Sequence, residues 1–266
     1  KEYPRSEEEM MAPANAIAFF DLPTIRKMQI DCKEPVEVVE VGNGVKANIY
    51  QKMQEGIRYT AATDTSHGTG KDFAVTVVMN VVTGYVVADI YSNVIDATEL
   101  GIASVELLRD HYESPIWAIE DNDWGVLALR MAQELRYRPL YYRDEDGEKP
   151  GWHTFDTAAH AAPGSRFVMF GDLSRAVTAR AITVPNKEGL AQFMTMIRNP
   201  KPGKNGRVEA QEGGHDDYPL AVAIAWQLRG QARPAGSMRK NVNPDTDSSF
   251  QRPKRAGRYG WAGVMR

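Results

Sequence analysis

The chain has 266 residues, 42% of them hydrophobic and 25% charged, which is typical of a globular protein that buries a sizeable core. Its one cysteine, Cys32, excludes an internal disulfide and argues against a cysteine-based zinc site. No apolar run reaches the roughly 18 residues that a membrane-spanning helix needs. We therefore expect neither a membrane span nor a secretory signal.

Charge is unevenly distributed along the chain. Residues 231–266 carry eight Lys and Arg against two Asp and Glu, a net charge of +6, while the whole chain has a net charge of −3. A Gly-, Pro- and Ser-rich segment of this charge cannot bury a core, so we expect a flexible basic tail. Two roles stay open for the tail: a solubilising linker, or a basic arm that binds nucleic acid.

Residues 1–49 show no chemical motif. We expect them to form an extension, or a linker from a preceding domain, ahead of a main domain at 50–230. Within the extension, alternating Val and Glu at 36–41 predicts an edge strand.

The segment 59–91 predicts three consecutive strands. Small and apolar residues at 59–64 end in Asp64, and two runs rich in β-branched residues follow at 73–82 and 84–91. An ionised carboxylate on a buried strand is unfavourable unless it is paired or binds a cation. Asp64 therefore requires partners elsewhere in the chain.

A second carboxylate follows the next predicted strand. After a predicted helix at 98–111, the apolar run 116–119 predicts a fourth strand, and Glu120 comes directly after it. A helix at 126–135 and a fifth strand at 139–142 are predicted next. Glu120 thus lies at the end of an apolar strand, as Asp64 does.

The third acidic position is the pair Asp216 and Asp217, which precedes a predicted helix at 219–228. If the first and fourth strands are neighbours, Asp64 and Glu120 face each other and the pair completes the group. Crowded carboxylates repel one another unless divalent cations lie between them. Mg²⁺ prefers such hard oxygen ligands, and two ions could together clamp a phosphoryl group during hydrolysis.

Four segments, in this order, resemble the nuclease domain of the large terminase subunit of tailed double-stranded DNA bacteriophages, within the RNase H-like superfamily. They are Tyr50 with GIRYTAATDTSHGTGKDFA (56–74), YESPIWAIEDNDWG (112–125), GWHT (151–154) and GGHDDYPLAVAIA (213–225). The resemblance spans about residues 50–229. It implies an α/β fold, an RNase H-like mixed β-sheet flanked by helices.

The resemblance also implies the site residues. Asp64, Glu120, Asp216 and Asp217 would be the catalytic metal ligands for Mg²⁺ or Mn²⁺, with two ions expected. Which Asp of the pair binds metal directly stays open. Supporting roles fall to Asn122, His215 and Lys71, and the basic hairpin before the acidic pair would contact DNA through Lys201, Lys204 and Arg207.

The implied function is metal-dependent cleavage of double-stranded viral DNA concatemers during genome packaging, in the cytoplasm of the infected bacterial host. The implied partners are double-stranded DNA, the packaging ATPase domain, the portal and the small terminase subunit, with no membrane. The run at 67–72 lacks the first Gly and the final Ser or Thr of a phosphate-binding loop, so no ATPase motif is present here. Two alternatives remain: another RNase H-like nuclease, such as a junction resolvase or an RNA–DNA hybrid nuclease, and a non-catalytic DNA-docking module.

Overall fold

A six-stranded mixed β-sheet, covered by helices on both faces, forms the centre of the fold. The computed structural model describes residues 18–66, 68–144, 146–155, 165–198 and 207–232. The sheet strands are β1 (Glu37–Val41), β2 (Val45–Ile49), β3 (Tyr59–Asp64), β4 (Ala74–Asn80), β5 (Val86–Ser92) and β6 (Ile116–Ile119). Their order in the sheet is β1-β2-β5-β4-β3-β6. The β3–β6 pair is parallel and the other pairs are antiparallel.

Six α-helices of the described residues surround the sheet. They are α1 (Leu22–Ile30), α2 (Ala97–Glu106), α3 (Gly125–Glu134), α4 (Arg166–Thr178), α5 (Lys187–Thr195) and α6 (Asp217–Gln227). Helix α2 continues as a π-helical turn at Leu107–His111, and α6 continues as a 3₁₀ turn at Leu228–Gln231. Among the described residues, none of the helices is long and apolar enough to span a bilayer.

The alternation of side chains along the strands produces two separate cores. Ala62 and Ala118 belong to the core formed with α1, α4, α5 and α6, while their neighbours Ala61 and Trp117 belong to the core formed with α2 and α3. Every residue of β3 and β4 is buried, as expected for strands covered on both faces. The small side chains of β3 let α6 pack directly over β3 and β4. This layer of α6 over the two strands determines where the acidic residues meet.

The described part of the expected N-terminal extension is integrated into this fold. Strand β1 confirms the predicted edge strand, and β2, which the sequence did not predict, pairs with both β1 and β5. Helix α1 packs against α4 and α5. The sheet therefore begins at Glu37, ahead of the boundary expected at residue 50. Residues 1–17 lie outside the described part of the chain.

The predicted fifth strand at 139–142 is wrong as a regular strand. Leu140 makes only an isolated bridge to Trp117, and farther along the same loop Trp152 makes an isolated bridge to Glu120. Proline 139 has no N–H to donate, which limits regular pairing here. The loop still matters for the site, because it places the buried Trp152 beside Glu120.

The basic hairpin is present as its two short strands, β7 (Met196–Arg198) and β8 (Val208–Ala210), which pair antiparallel. Its tip, with Lys201 and Lys204, lies outside the described residues, as does the expected tail beyond Ala232.

Candidate metal centre

Asp64 and Glu120 lie side by side at the ends of two parallel strands. Thr63 of β3 is in register with Ile119 of β6, and the Glu120 N–H donates to the Thr63 carbonyl oxygen over 2.9 Å. Asp64 is 5% exposed and Glu120 is 7% exposed. The predicted adjacency of the first and fourth strands is confirmed, and it brings both carboxylates to one edge of the sheet.

Burial and mutual repulsion act on these acids. The pKa of Asp64 is raised well above its ordinary value, first by burial and then by the nearby charges of Glu120, Asp217 and Asp216. Burial also raises the pKa of Asp217 to about 7, although the Phe73 N–H partly offsets this by donating a hydrogen bond to it. Asp64 therefore interacts both with Glu120 beside it and with the two acids at the start of α6.

The adjacent residues Asp216 and Asp217 have different surroundings. Asp217 is the first residue of α6, and its Oδ2 accepts a hydrogen bond of 3.2 Å from the Phe73 N–H at the start of β4. Its side chain is 14% exposed. Asp216 is 32% exposed and forms an ion pair with Arg166 of α4. The two carboxylates are therefore held by different elements, with Asp217 against the sheet.

Asn122 connects the two acids on the sheet to helix α3. Its Nδ2 donates to Glu120 Oε2 over 2.8 Å and lies 3.4 Å from Asp64 Oδ1. Its Oδ1 accepts from the Gly125 N–H over 2.7 Å and from the Thr65 hydroxyl over 3.0 Å. The side-chain amide thus orients both carboxylates while it satisfies a free N–H at the start of α3.

His215 lies close to the acids, as its place in the sequence suggests. Its Nδ1 is 3.7 Å from Asp217 Oδ2 and 3.9 Å from Asp72 Oδ1. Its ring stands edge-on to Phe73 at 5.1 Å between centroids. Lys71 is exposed in the loop between β3 and β4. His215 thus lies between Asp217 and Asp72.

Of the three residues expected to contact DNA, the structure describes Arg207. It is exposed just before β8, and its Nε lies 3.4 Å from Glu209 Oε2.

Arg166 was not identified from the sequence, and it contacts the acidic pair directly. Besides Asp216, its guanidinium donates to the Val208 carbonyl oxygen on β8 over 3.3 Å and lies over the Phe170 ring. Arg166 thus links the base of the basic hairpin to the start of α6. No local motif signals this contact, because 50 residues separate the arginine from Asp216.

A second cluster lies next to Glu120. Asp121 forms an ion pair with Arg143, and its Oδ1 is 2.8 Å from His153 Nδ1. The His153 side chain is 58% exposed. No local motif marks this cluster, which joins Asp121, two residues after the end of β6, to two residues of the loop that follows α3.

The donor atoms of the centre suit a hard divalent cation. Within the described residues, no three His, Cys, Asp or Glu side chains are close enough together to share one ion. Asp64 and Glu120 nevertheless approach each other to hydrogen-bond distance. Mg²⁺ is usually held by one or two carboxylates together with several waters, so a closed cage of protein ligands is not required. The carboxylates thus fit such an ion by donor type and by facing one another.

Several solved structures with a similar fold are nuclease domains. No protein-family model and no curated protein sequence matches the chain. The large terminase nuclease of thermophilic phage G20c with bound magnesium matches with a TM-score of 0.55 and 16% identity, over 80% of this chain and 98% of that one. The same nuclease with bound cobalt matches with a TM-score of 0.54 and 16% identity, over 80% and 98% of the two chains.

The nuclease domain of the Thermus phage P74-26 large terminase matches with a TM-score of 0.52 and 16% identity, over 77% of this chain and 94% of that one. These matches confirm the predicted α/β architecture, a mixed sheet flanked by helices. The chain therefore has a fold similar to that of the large terminase nuclease domains that it was predicted to resemble.

Proposed function

We propose that the protein is a metal-dependent endonuclease that cleaves double-stranded viral DNA concatemers during genome packaging. The observation that carries this proposal is the buried pair Asp64 and Glu120 at one edge of the sheet, with Asp217 near enough to raise the pKa of Asp64 further. A buried acid whose pKa is raised by neighbouring acids is unfavourable for stability alone, and such acids are typical of functional sites. The fold, shared with nucleases solved with magnesium and cobalt, supports the same proposal.

In this proposal Asp64, Glu120 and Asp217 hold Mg²⁺ or Mn²⁺, with two ions as the expected number. Bound divalent ions would supply Lewis acidity and neutralise the charge that develops on the phosphoryl oxygens. Asp216 would act differently from its neighbour, because Arg166 already neutralises it. Asn122 would keep the carboxylates of Asp64 and Glu120 turned toward each other.

The remaining predicted residues would act on the DNA. His215, 3.7 Å from Asp217, and the exposed Lys71 of the loop between β3 and β4 would contact phosphates next to the cleaved bond. Arg207, with Lys201 and Lys204 of the hairpin, would contact the DNA backbone. Because residues before 231 carry a net charge of −9, affinity would depend on these local basic groups and fall steeply with salt.

The wider setting belongs to the same proposal. A large terminase nuclease would work with a packaging ATPase domain, the portal and the small terminase subunit, in the cytoplasm of an infected bacterium. A preceding domain would join this one ahead of α1, since β1 and β2 already belong to the sheet, and 231–266 would form the basic tail.

Plasmid digestion tests the proposal. We expect the wild-type protein to linearise plasmid DNA with Mg²⁺ or Mn²⁺ and not with EDTA, and Asp64→Asn to abolish cleavage because it removes a carboxylate ligand. Asp123→Asn is the matched control, since Asp123 is exposed beside the site and should retain activity. Cleavage by Asp64→Asn at the wild-type rate would contradict the proposal.

The substrate class is tested with the same protein on a four-way junction and an RNA–DNA hybrid. A packaging nuclease should prefer the plasmid. Strong preference for the junction or the hybrid would instead identify another RNase H-like nuclease.

A further inference from the structure

The fully buried carboxylate of Asp89 lies behind the candidate metal centre. Asp89, on β5, has no exposed surface. Its oxygens accept four hydrogen bonds: from Asn48 Nδ2 at 2.8 Å, Asn186 Nδ2 at 2.9 Å, and the hydroxyls of Tyr218 at 2.7 Å and Tyr50 at 3.4 Å. Such a carboxylate is well satisfied by protein donors, as a buried charge must be. Its effect must therefore be exerted through the groups that it holds.

One of those groups is next to a proposed metal ligand. Tyr218 directly follows Asp217 in the first turn of α6, and its side chain is fully buried. The ring lies against α5 at Gly189, where an added Cβ would come within 2.5 Å of it. Because glycine at position 189 lets the ring pack this closely on α5, the Tyr218 hydroxyl can reach Asp89. Asp89 and α5 together thus hold the residue that follows Asp217.

The same carboxylate also holds the start of α5. Asn186 is the N-cap of α5: its Oδ1 accepts from the Gly189 N–H over 2.9 Å, while its Nδ2 donates to Asp89. Asp89 therefore makes two contacts: it accepts the hydrogen bond of the Tyr218 hydroxyl, and through Asn186 it fixes α5, the helix on which the Tyr218 ring packs. Both contacts set the position of the first turn of α6 relative to β5.

The start of α6 depends on these neighbours because its own N-cap residue does not cap it. Asp216 makes no capping hydrogen bond, since its carboxylate pairs with Arg166. The Tyr218 N–H, one of the free donors at a helix start, donates instead to Gln192 Oε1 of α5 over 2.8 Å. Gln192 Nε2 in turn donates to the Tyr91 hydroxyl over 3.2 Å. The first turn is thus fixed by α5, β5 and α4, together with the Phe73 N–H that donates to Asp217.

We propose that Asp89 and Tyr218 are positioning residues for the metal centre. The Tyr218–Asp89 hydrogen bond fixes the first turn of α6 so that the Asp217 carboxylate meets Asp64 and Glu120 on the sheet. This inference rests on the proposed function, in which Asp217 is a metal ligand. Compared with an apolar group, a buried acid adds little net stability. Its hydrogen bonds do, however, hold its partner side chains in one specific arrangement. Partners behind metal ligands orient them in the same way.

The experiment compares two Tyr→Phe variants that each remove one hydroxyl from the same Asp89 oxygen. Tyr218→Phe loses the donor attached to α6, and Tyr50→Phe loses a donor from the β2 side. Mn²⁺ affinity is measured by calorimetry without DNA, and cleavage is measured across a Mn²⁺ titration. We expect Tyr218→Phe to weaken Mn²⁺ binding about tenfold, as removal of a group behind a metal ligand does, with cleavage recovering at saturating Mn²⁺. Tyr50→Phe should keep wild-type Mn²⁺ affinity.

A control for lost stability is Ile224→Val, a fully buried position farther along α6. It should lower the melting temperature without changing Mn²⁺ affinity. If Tyr218→Phe does not fold, Gln192→Met removes the acceptor of the Tyr218 N–H and should show the same weakened binding. If a folded Tyr218→Phe or Gln192→Met protein kept wild-type Mn²⁺ affinity, this inference would be overturned while the proposed function would stand. Failure of the wild-type protein to bind Mn²⁺ would overturn the proposed function, and the inference with it.

Discussion

Asp216 and Asp217 are adjacent in the chain and yet face different neighbours. Asp217 is held against β4 by the Phe73 N–H, whereas Asp216 pairs with Arg166. We expect Asp217→Asn to reduce plasmid cleavage by more than the roughly 10- to 100-fold typical of residues behind a ligand, and Asp216→Asn to stay within that range. Single-turnover cleavage at saturating Mn²⁺ measures both. A larger loss in Asp216→Asn would reverse the assignment of the ligand.

The pKa of Asp217 makes stability depend on pH. In the unfolded chain this carboxyl group ionises near 3.8, whereas in the folded protein it keeps its proton up to about pH 7. Between these values the folded state binds more protons, so the free energy of unfolding falls as the pH rises. A shift of this size corresponds to at most about 4 kcal/mol.

Urea denaturation in EDTA at about pH 4.5 and about pH 8 measures this pH dependence of the free energy of unfolding, because the two values lie near the ends of the range over which Asp217 ionises. We expect the wild-type protein to lose more stability between them than Asp217→Asn, which cannot ionise. The variant should therefore be the more stable protein at the higher pH. Equal pH dependence in the two proteins would show that Asp217 ionises normally in the folded state.

Helix α3 begins so close to β6 that only glycine fits at its first position. A Cβ on Gly125 would lie 1.7 Å from the carbonyl oxygen of Glu120, and the Gly125 N–H donates to Asn122. We expect Gly125→Ala to displace Glu120 and Asn122, to destabilise the fold by about 1–3 kcal/mol and to reduce cleavage. Thermal melting and plasmid digestion check both effects.

Gly171, inside α4, provides the control for this variant. A Cβ there would meet nothing nearer than the Arg175 side chain at 4.0 Å. Gly171→Ala should stabilise the protein by about 0.5–1 kcal/mol, as expected for alanine in a helix interior, and leave cleavage unchanged. If both variants lost activity, the loss in Gly125→Ala could not be attributed to its close contact with Glu120.

The elements with strong local patterns were predictable from the sequence. Strand β3 is a run of small and apolar residues, β4 is rich in β-branched residues, β6 is continuously apolar, and the capping box of α2 marks its first turn. Strand β2 was missed because it is five residues long and includes Lys46 and Asn48; cross-strand pairs with β1 and β5 form it. Local patterns fail where pairing partners decide the structure.

The same limit applies to the candidate metal centre. Asp64 and Glu120 were identifiable because each ends an apolar strand. Arg166 was not, because its contact with Asp216 exists only when α4 packs beside α6. The contrast between Asp216 and Asp217 follows from that contact and was left open by the sequence.

At the scale of the whole molecule, cation binding should raise stability, because the acids repel one another in the folded state and are far apart in the unfolded chain. Binding at a hundredfold excess over Kd stabilises a protein by about 2.7 kcal/mol. For a domain of this size that corresponds to a rise in Tm of roughly 5–10 °C. We expect this rise with Mn²⁺ for the wild-type protein and a much smaller one for Asp64→Asn. Thermal melts with equal shifts in both proteins would place the bound cation elsewhere.

The parallel pairing of β3 with β6 joins residues that are separated by two strands and a helix, and Asp217 comes from an element near the end of the described chain. During synthesis, the ribosome releases Asp64 and Glu120 long before α6 emerges. Because α6 fills the space above β3 and β4, the nascent chain can complete neither its core nor its acidic cluster until that helix arrives. Metal binding by these acids would therefore become possible only after α6 has been synthesised.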